Sequence, residues 1–297
     1  MGTRRAPGSL VMSVARVEER YDIGERLGAG AMGEVFAAYD CELRTEVALK
    51  CLASHLAGST EGVRRFGYEA ALCRRMNNPH IVSVLGLAVT YDNVPCIAYE
   101  RLVGETLADR LDRGEKIPID EVVTIVKQTA IALTHAHSLG IVHRDVKPSN
   151  IFITREADGR LHVKLIDFGV AEVAAEDGVF EECELAGTPE YLAPEQLRGD
   201  RRPNPLDDVY ALAVVAFEAL SGRLPFAGEL DELVVQAQDG DVPAVRESRP
   251  ELRSAIDAWF MRALDRRRER RFSSAKELAR SLELVLCPVV RPALVAA

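Results

Sequence analysis

Apolar and polar residues alternate over the first third of the chain and then recur at helical spacing. From Tyr21 onward, period-two alternation predicts strands over residues 20–27, 35–39 and 46–52, with turn residues at Gly28, Ala29 and Gly30 and again at Asp40 and Cys41. Residues 60–76 change to a period near 3.6 through Val63, Phe66, Ala70, Cys73 and Met76, which predicts a helix. Strand patterns return at 81–90 and 95–102. Beyond Gly104 a long helical pattern covers 119–138 through Val122, Ile125, Val126, Thr129, Ile131 and Leu133, and Gly140 supplies its stop. Short strand signals at 151–153 and 163–166 flank a turn at Gly159, and helices follow from about Leu206. A β-rich first third before a mainly helical remainder implies an α+β chain of two lobes, with the hinge near 100–104.

Composition narrows the function classes. The chain has 297 residues, 47% hydrophobic and 28% charged, with a net charge of −9. That is enough material for two packed lobes, and the acidic balance disfavours nucleic acid as a partner. The one dense basic stretch, 266–271, is short and interrupted by Glu269. Arg4 and Arg5 precede an apolar stretch too short for a secretion signal, and the longest apolar stretch, 210–220, is below membrane-spanning length and contains Glu218. A soluble, cytoplasmic chain with no intrinsic membrane segment is expected. The six cysteines, at 41, 51, 73, 96, 183 and 287, form no Cys-x-x-Cys pair and no zinc spacing, so reduced thiols are expected.

Four short motifs carry candidate chemistry. The first is Gly28-Ala29-Gly30-Ala31-Met32-Gly33-Glu34-Val35. Glycines let backbone approach phosphate closely. A dinucleotide-binding loop would lead into a helix, whereas 35–39 continues as a strand, so the glycines top a β-hairpin. The second is Val47-Ala48-Leu49-Lys50, an ammonium inside an apolar strand. It needs anions, because burying an unpaired charge is costly. Glu69, on the same helical face as Phe66, Cys73 and Met76, is a candidate partner, as is a nucleotide phosphate. The third, His143-Arg144-Asp145-Val146-Lys147-Pro148-Ser149-Asn150, puts a carboxylate, an ammonium and a carboxamide in one loop. The fourth, Asp167-Phe168-Gly169, ends a strand and adds an oxygen ligand of the kind hard cations prefer.

With Gly187-Thr188-Pro189-Glu190-Tyr191-Leu192-Ala193-Pro194-Glu195 following in order, the chain resembles the protein kinases over residues 21–286, and in style the bacterial Hanks-type serine/threonine enzymes. The resemblance implies the bilobal kinase fold: a flexible tail at 1–20, an N-lobe at 21–102, a C-lobe at 105–286 and a short tail at 287–297. It implies ATP with Mg2+, or Mn2+ in its place, as cofactors and protein Ser/Thr hydroxyls as acceptors, and it admits a homodimer. Asp145, Lys147, Lys50, Glu69 and Thr188 would carry catalysis. Leu27, Gly28, Ala29, Gly30, Ala31, Met32, Gly33, Val35, Ala48, Lys50, Tyr99, Glu100 and Leu102 would surround the nucleotide, and Asn150 and Asp167 would hold the metal. A pseudokinase-type scaffold is the alternative within the same fold.

The resemblance also implies that Asp208 anchors the catalytic loop and that Glu195 pairs with a late arginine, Arg271. Tyr99 should narrow the back of the nucleotide pocket, and Cys73 replaces a larger apolar residue. Residues 170–187 contain no Ser, Thr or Tyr but six carboxylates: Glu172, Glu176, Asp177, Glu181, Glu182 and Glu184. The arginine before the catalytic aspartate usually meets a phosphate in kinases, so a carboxylate, Glu182, is expected to take that place opposite Arg144.

Overall fold

A computed structural model describes residues 15–30, 32–114, 116–168, 172–173, 187–200 and 202–287. The chain is α+β and divides into two compact units, one of residues 15–75 and 82–102, the other of 76–81 and 103–287.

The first unit is a six-stranded sheet. Its elements are β1 (Ala15–Arg16), α1 (Val17–Arg20), β2 (Tyr21–Gly30), β3 (Gly33–Asp40), β4 (Thr45–Leu52), α2 (Ser54–Ala57), α3 (Thr60–Arg75), β5 (Val84–Val89) and β6 (Pro95–Glu100). The strand order is β1-β5-β6-β4-β3-β2. All pairings are antiparallel except β1 with β5. Alternation along β4 sends Val47, Leu49 and Cys51 to one face, where they pack with Val17, Tyr21, Ala38, Ala88, Cys96 and Ala98. Ala48 and Lys50 therefore take the other face.

Three expectations are corrected here. Residues 15–20 are not tail: Ala15 pairs with Ala88, Val17 is fully buried, and Arg20 bonds the buried Asp40 through Nε and Nη2. Burying a valine contributes about 2 kcal/mol towards holding the segment, alongside the strand pairing and the Arg20–Asp40 bonds. Residues 76–81, expected in the first lobe, belong to the second unit. Leu165 donates its N–H to the His80 carbonyl, the ring Nδ1 of His80 lies 2.9 Å from the Val163 carbonyl oxygen, and Ile81 bridges Leu165. Finally, Cys51 and Cys96 are not separate thiols. They oppose each other on β4 and β6 with Cα atoms 4.2 Å apart and are joined as a disulfide. Directly opposed residues on antiparallel strands come this close without any further movement. Cys41, Cys73 and Cys287 are outside any disulfide.

The second unit is mainly helical. Its elements are β7 (Glu105–Thr106), α4 (Leu107–Asp112), α5 (Ile119–Ser138), β8 (Ile141–Val142), β9 (Ile151–Arg155), β10 (Leu161–Leu165), β11 (Glu172–Val173), α6 (Pro194–Leu197), α7 (Pro205–Ser221), α8 (Leu230–Asp239), α9 (Ala255–Ala263) and α10 (Ala275–Leu286), with 3-10 turns at Pro148–Asn150, Pro189–Tyr191, Val245–Glu247 and Arg268–Arg270. The central helix is α7, apolar on nearly every side and buried from Asp207 to Phe217. A helix without a polar face belongs in the middle of a core. Asn204 caps its start by accepting the Leu206 N–H, and Gly222, at φ 75, ends it. Its first turn carries Asp207 and Asp208, where carboxylates complement the helix dipole. Among the described residues no helix is long and apolar enough to cross a membrane.

Candidate active site

The glycine hairpin forms as the sequence predicts. The β2–β3 register pairs Gly28 with Val35, Ala29 with Glu34 and Gly30 with Gly33. The three glycines differ in what requires them. A Cβ on Gly33 would sit 2.1 Å from the Cys51 carbonyl oxygen, so packing alone excludes a side chain there. A Cβ on Gly28 or Gly30 would meet no protein atom within 4 Å, and neither has the positive φ that favours glycine. The chain's own packing does not explain those two. Ala31 lies outside the described residues.

Lys50 reaches Glu69 from β4, its Nζ donating to the two carboxylate oxygens at 2.8 and 2.9 Å. Glu69 lies in the middle of α3, 1% exposed, beside the buried Phe66, Ala70 and Cys73. Val63, expected on that face, is exposed. The Tyr99 hydroxyl on β6 donates to Glu69 Oε1 at 2.6 Å. The next residue, Glu100, accepts the Ser83 N–H through Oε1. Ala48 is Tyr99's cross-strand neighbour, Leu27 and Val35 lie on the hairpin, Met32 is in its turn, and Leu102 closes the unit.

In the second unit the loop after β8 gathers the remaining candidates. Lys147 Nζ lies 2.8 Å from Asp145 Oδ2 and donates to Thr188 Oγ1 at 2.7 Å. The Thr188 hydroxyl in turn donates to Asp145 Oδ1 at 3.3 Å. Asn150 Nδ2 donates to the Asp145 carbonyl at 2.8 Å and to Asp145 Oδ2 at 3.0 Å. Asp145 is thus held from three sides. With Nδ2 committed, Asn150 presents Oδ1, the atom a hard cation takes. Asp167 follows β10 at φ 59, and Phe168 packs its ring 4.5 Å from that of His143. A carboxylate and a carboxamide oxygen are donor types that a hard cation such as Mg2+ takes. Gly187 has φ 107, and a Cβ there would strike the Arg144 carbonyl at 2.8 Å, which explains the glycine before Thr188.

The loop is anchored from α7. Asp208 Oδ2 accepts the His143 N–H at 2.9 Å and Oδ1 accepts the Arg144 N–H at 2.8 Å, as expected for that aspartate. Sequence reasoning missed His137, whose Nε2 lies 2.7 Å from Asp208 Oδ2. Burial pushes the Asp208 carboxyl up, but its bond to His137 and the nearby histidines pull it back below the ordinary value. The sequence hint was a histidine in the last turn of α5, six residues before His143. The partner expected for Arg144, Glu182, lies outside the described residues.

Glu195 pairs with Arg271 as predicted, Nη1 and Nη2 each donating at 2.7 Å. Burial would raise the Glu195 carboxyl, yet Arg271 outweighs it and holds the carboxyl below its usual range. Arg268, also missed, bonds Glu195 at 2.8 Å and Asp207 at 2.9 Å. Asp207 is nonetheless pushed up to about 7. Its burial, with the charges of Glu195 and Asp208, outweighs an arginine shared among several carboxylates. Tyr191 donates to Glu218 at 2.7 Å, a further pairing the sequence pattern does not announce.

A family model described as the protein kinase domain matches residues 21–282. The chain is 36% identical over 271 residues to the serine/threonine-protein kinase PknB of Mycobacterium leprae, covering 90% of this chain and 43% of that protein. It is 32% identical over 264 residues to the serine/threonine-protein kinase PrkC of Bacillus subtilis, covering 89% and 40%. It is 36% identical over 270 residues to the serine/threonine-protein kinase Pkn1 of Myxococcus xanthus, covering 90% and 38%. The chain therefore spans about two fifths of the length of these relatives.

Proposed function

The chain belongs to the protein kinase family, and from that premise we propose that it phosphorylates Ser and Thr hydroxyls of protein substrates at the expense of ATP in bacterial signalling. The observation that carries this reading is the hold on Asp145 by Lys147, Asn150 and Thr188. A carboxylate fixed that way can orient an incoming hydroxyl and take its proton. Lys147, beside it, would neutralise charge on the transferred group. Lys50, oriented by Glu69, would hold the α- and β-phosphates, and the backbone from Gly28 to Gly33 would cover them. Leu27, Val35, Ala48, Tyr99, Glu100 and Leu102 would enclose the base.

When bound, ATP with Mg2+ (or Mn2+) supplies the phosphoryl group and the divalent charge that screens it; Asn150 and Asp167 would hold the ion. The protein's own contribution is mostly position and fixed charge. The reading places the domain in the cytoplasm with protein substrates and ATP as partners, and leaves a homodimer open to test. It also retains Glu182 as the partner of Arg144, in a segment without a hydroxyl to phosphorylate.

Calorimetric titration with ATP tests the binding half of the proposal. Binding should strengthen with Mg2+, and Asp167→Ala should lose the metal dependence while retaining weak nucleotide binding. Metal-independent affinity in the unmodified protein would refute the assigned ligands.

A further inference from the structure

The Tyr99 hydroxyl points to a part in positioning that the catalytic motifs do not include. Tyr99 is 7% exposed on β6, flanked across the sheet by Ala48 on β4 and Val84 on β5. Its ring is therefore held by the sheet itself, with only two side-chain torsions to fix. The hydroxyl donates to Glu69 Oε1 at 2.6 Å, the length of a charge-assisted O–H···O− bond. That oxygen also accepts from Lys50 Nζ. Glu69 is thus tied to the sheet twice, once through a flexible four-carbon ammonium side chain and once through a rigid phenol.

We propose that Tyr99 is a positioning residue: its hydroxyl holds Glu69, and with it α3, against the sheet, so that Lys50 stays oriented when its ammonium turns toward phosphate. The point is chemical rather than steric. Phenylalanine keeps the ring and the bulk but cannot donate. With Tyr99 in place, losing one Lys50 contact does not release the buried carboxylate. Without it, Glu69 is left with Lys50 as its donor among the described residues, and each phosphate contact made by Lys50 competes directly with the tie to α3. The consequence for catalysis rests on the kinase reading. The tie itself does not.

The test combines Tyr99→Phe, Glu69→Ala and the double variant, read by amide hydrogen exchange across residues 60–75 and by kcat and KM for ATP. Tyr99→Phe is expected to fold, to speed exchange in α3, and to lower kcat/KM for ATP by about tenfold, in line with loss of one hydrogen bond to a charged group. If Tyr99 acts through Glu69, adding Tyr99→Phe to Glu69→Ala, which has no acceptor, changes little more. A general packing role would instead give additive losses in the double variant, and that result overturns the proposal. So does unchanged α3 exchange in Tyr99→Phe. Faster α3 exchange in Tyr99→Phe in a protein that transfers no phosphate even when unmodified would support the tie and reject the kinase reading.

Discussion

Asp208 accepts the Arg144 N–H at 2.8 Å, and Arg144 has φ 66, a left-handed conformation that few non-glycine residues adopt. The loop bearing Asp145 is thus bent into an unfavourable shape by a carboxylate in the first turn of a buried helix. Such strain persists only where the surroundings over-determine it. Asp208→Ala would leave two buried N–H groups and His137 without this acceptor, at roughly 1–3 kcal/mol for each orphaned group. Urea denaturation should show a loss of about 3–5 kcal/mol, the range for removing one partner of a buried charge pair. Surviving activity should fall further than the folded fraction does.

Asp207, pushed up to about 7, gives a pH signature of the opposite sign to the usual carboxylate. Its folded value lies above its ordinary 3.8, so the folded chain keeps a proton that the unfolded chain releases. The stabilisation is complete below 3.8 and is lost as pH rises through about 7. Glu195, depressed, contributes its share above its ordinary 4.5 and loses it as pH falls through its lower folded value, so it is constant near neutrality. Between about pH 5 and 6 the unmodified protein should lose stability relative to Asp207→Asn by up to about 1.4 kcal/mol per pH unit, the slope falling to roughly half that near pH 7 and flattening above. Denaturant titrations of both proteins at half-unit steps check this. A pH-independent difference would contradict it.

The glycine hairpin separates packing from binding. Gly33→Ala should destabilise the fold, because a Cβ has no room against the Cys51 carbonyl. Gly28→Ala and Gly30→Ala should melt near the unmodified protein, since nothing stands within 4 Å of the added carbon, yet bind ATP more weakly. Thermal melts with and without ATP distinguish the two classes of glycine.

Much of this was readable along the chain because it depends on near neighbours. Helix α5 runs from Ile119 to Ser138, the span its apolar period predicts, and the hairpin follows from Gly28 to Val35 continuing as a strand. The pair Lys50–Glu69 was legible because a lysine inside an apolar strand demands a partner, whereas Glu195–Arg271 was expected only through the resemblance to the kinases. What escaped was set by register and distance. A two-residue parallel strand at Ala15–Arg16 has no period to detect. The meeting of Cys51 and Cys96 depends on how two strands are aligned, and the packing of 76–81 depends on contacts more than 80 residues away. His137, Arg268 and the Tyr99–Glu69 bond depend likewise on how distant elements come together.

Because residues 170–187 have no hydroxyl, activity should not depend on phosphorylation there. Phosphatase-treated protein, its phosphate removal verified by mass spectrometry, should turn over at the untreated rate. Loss of turnover would show that a phosphate elsewhere governs the site and that Glu182 does not serve in its place.

The most direct measurement is transfer of label from γ-labelled ATP to a protein substrate, with the labelled amino acids identified. The unmodified chain should place label on Ser and Thr in a reaction stopped by chelating Mg2+, and Asp145→Asn should lower the rate by roughly a hundred- to ten-thousandfold. Equal labelling by Asp145→Asn, or a well-folded, ATP-bound protein that labels nothing, would contradict the assignment.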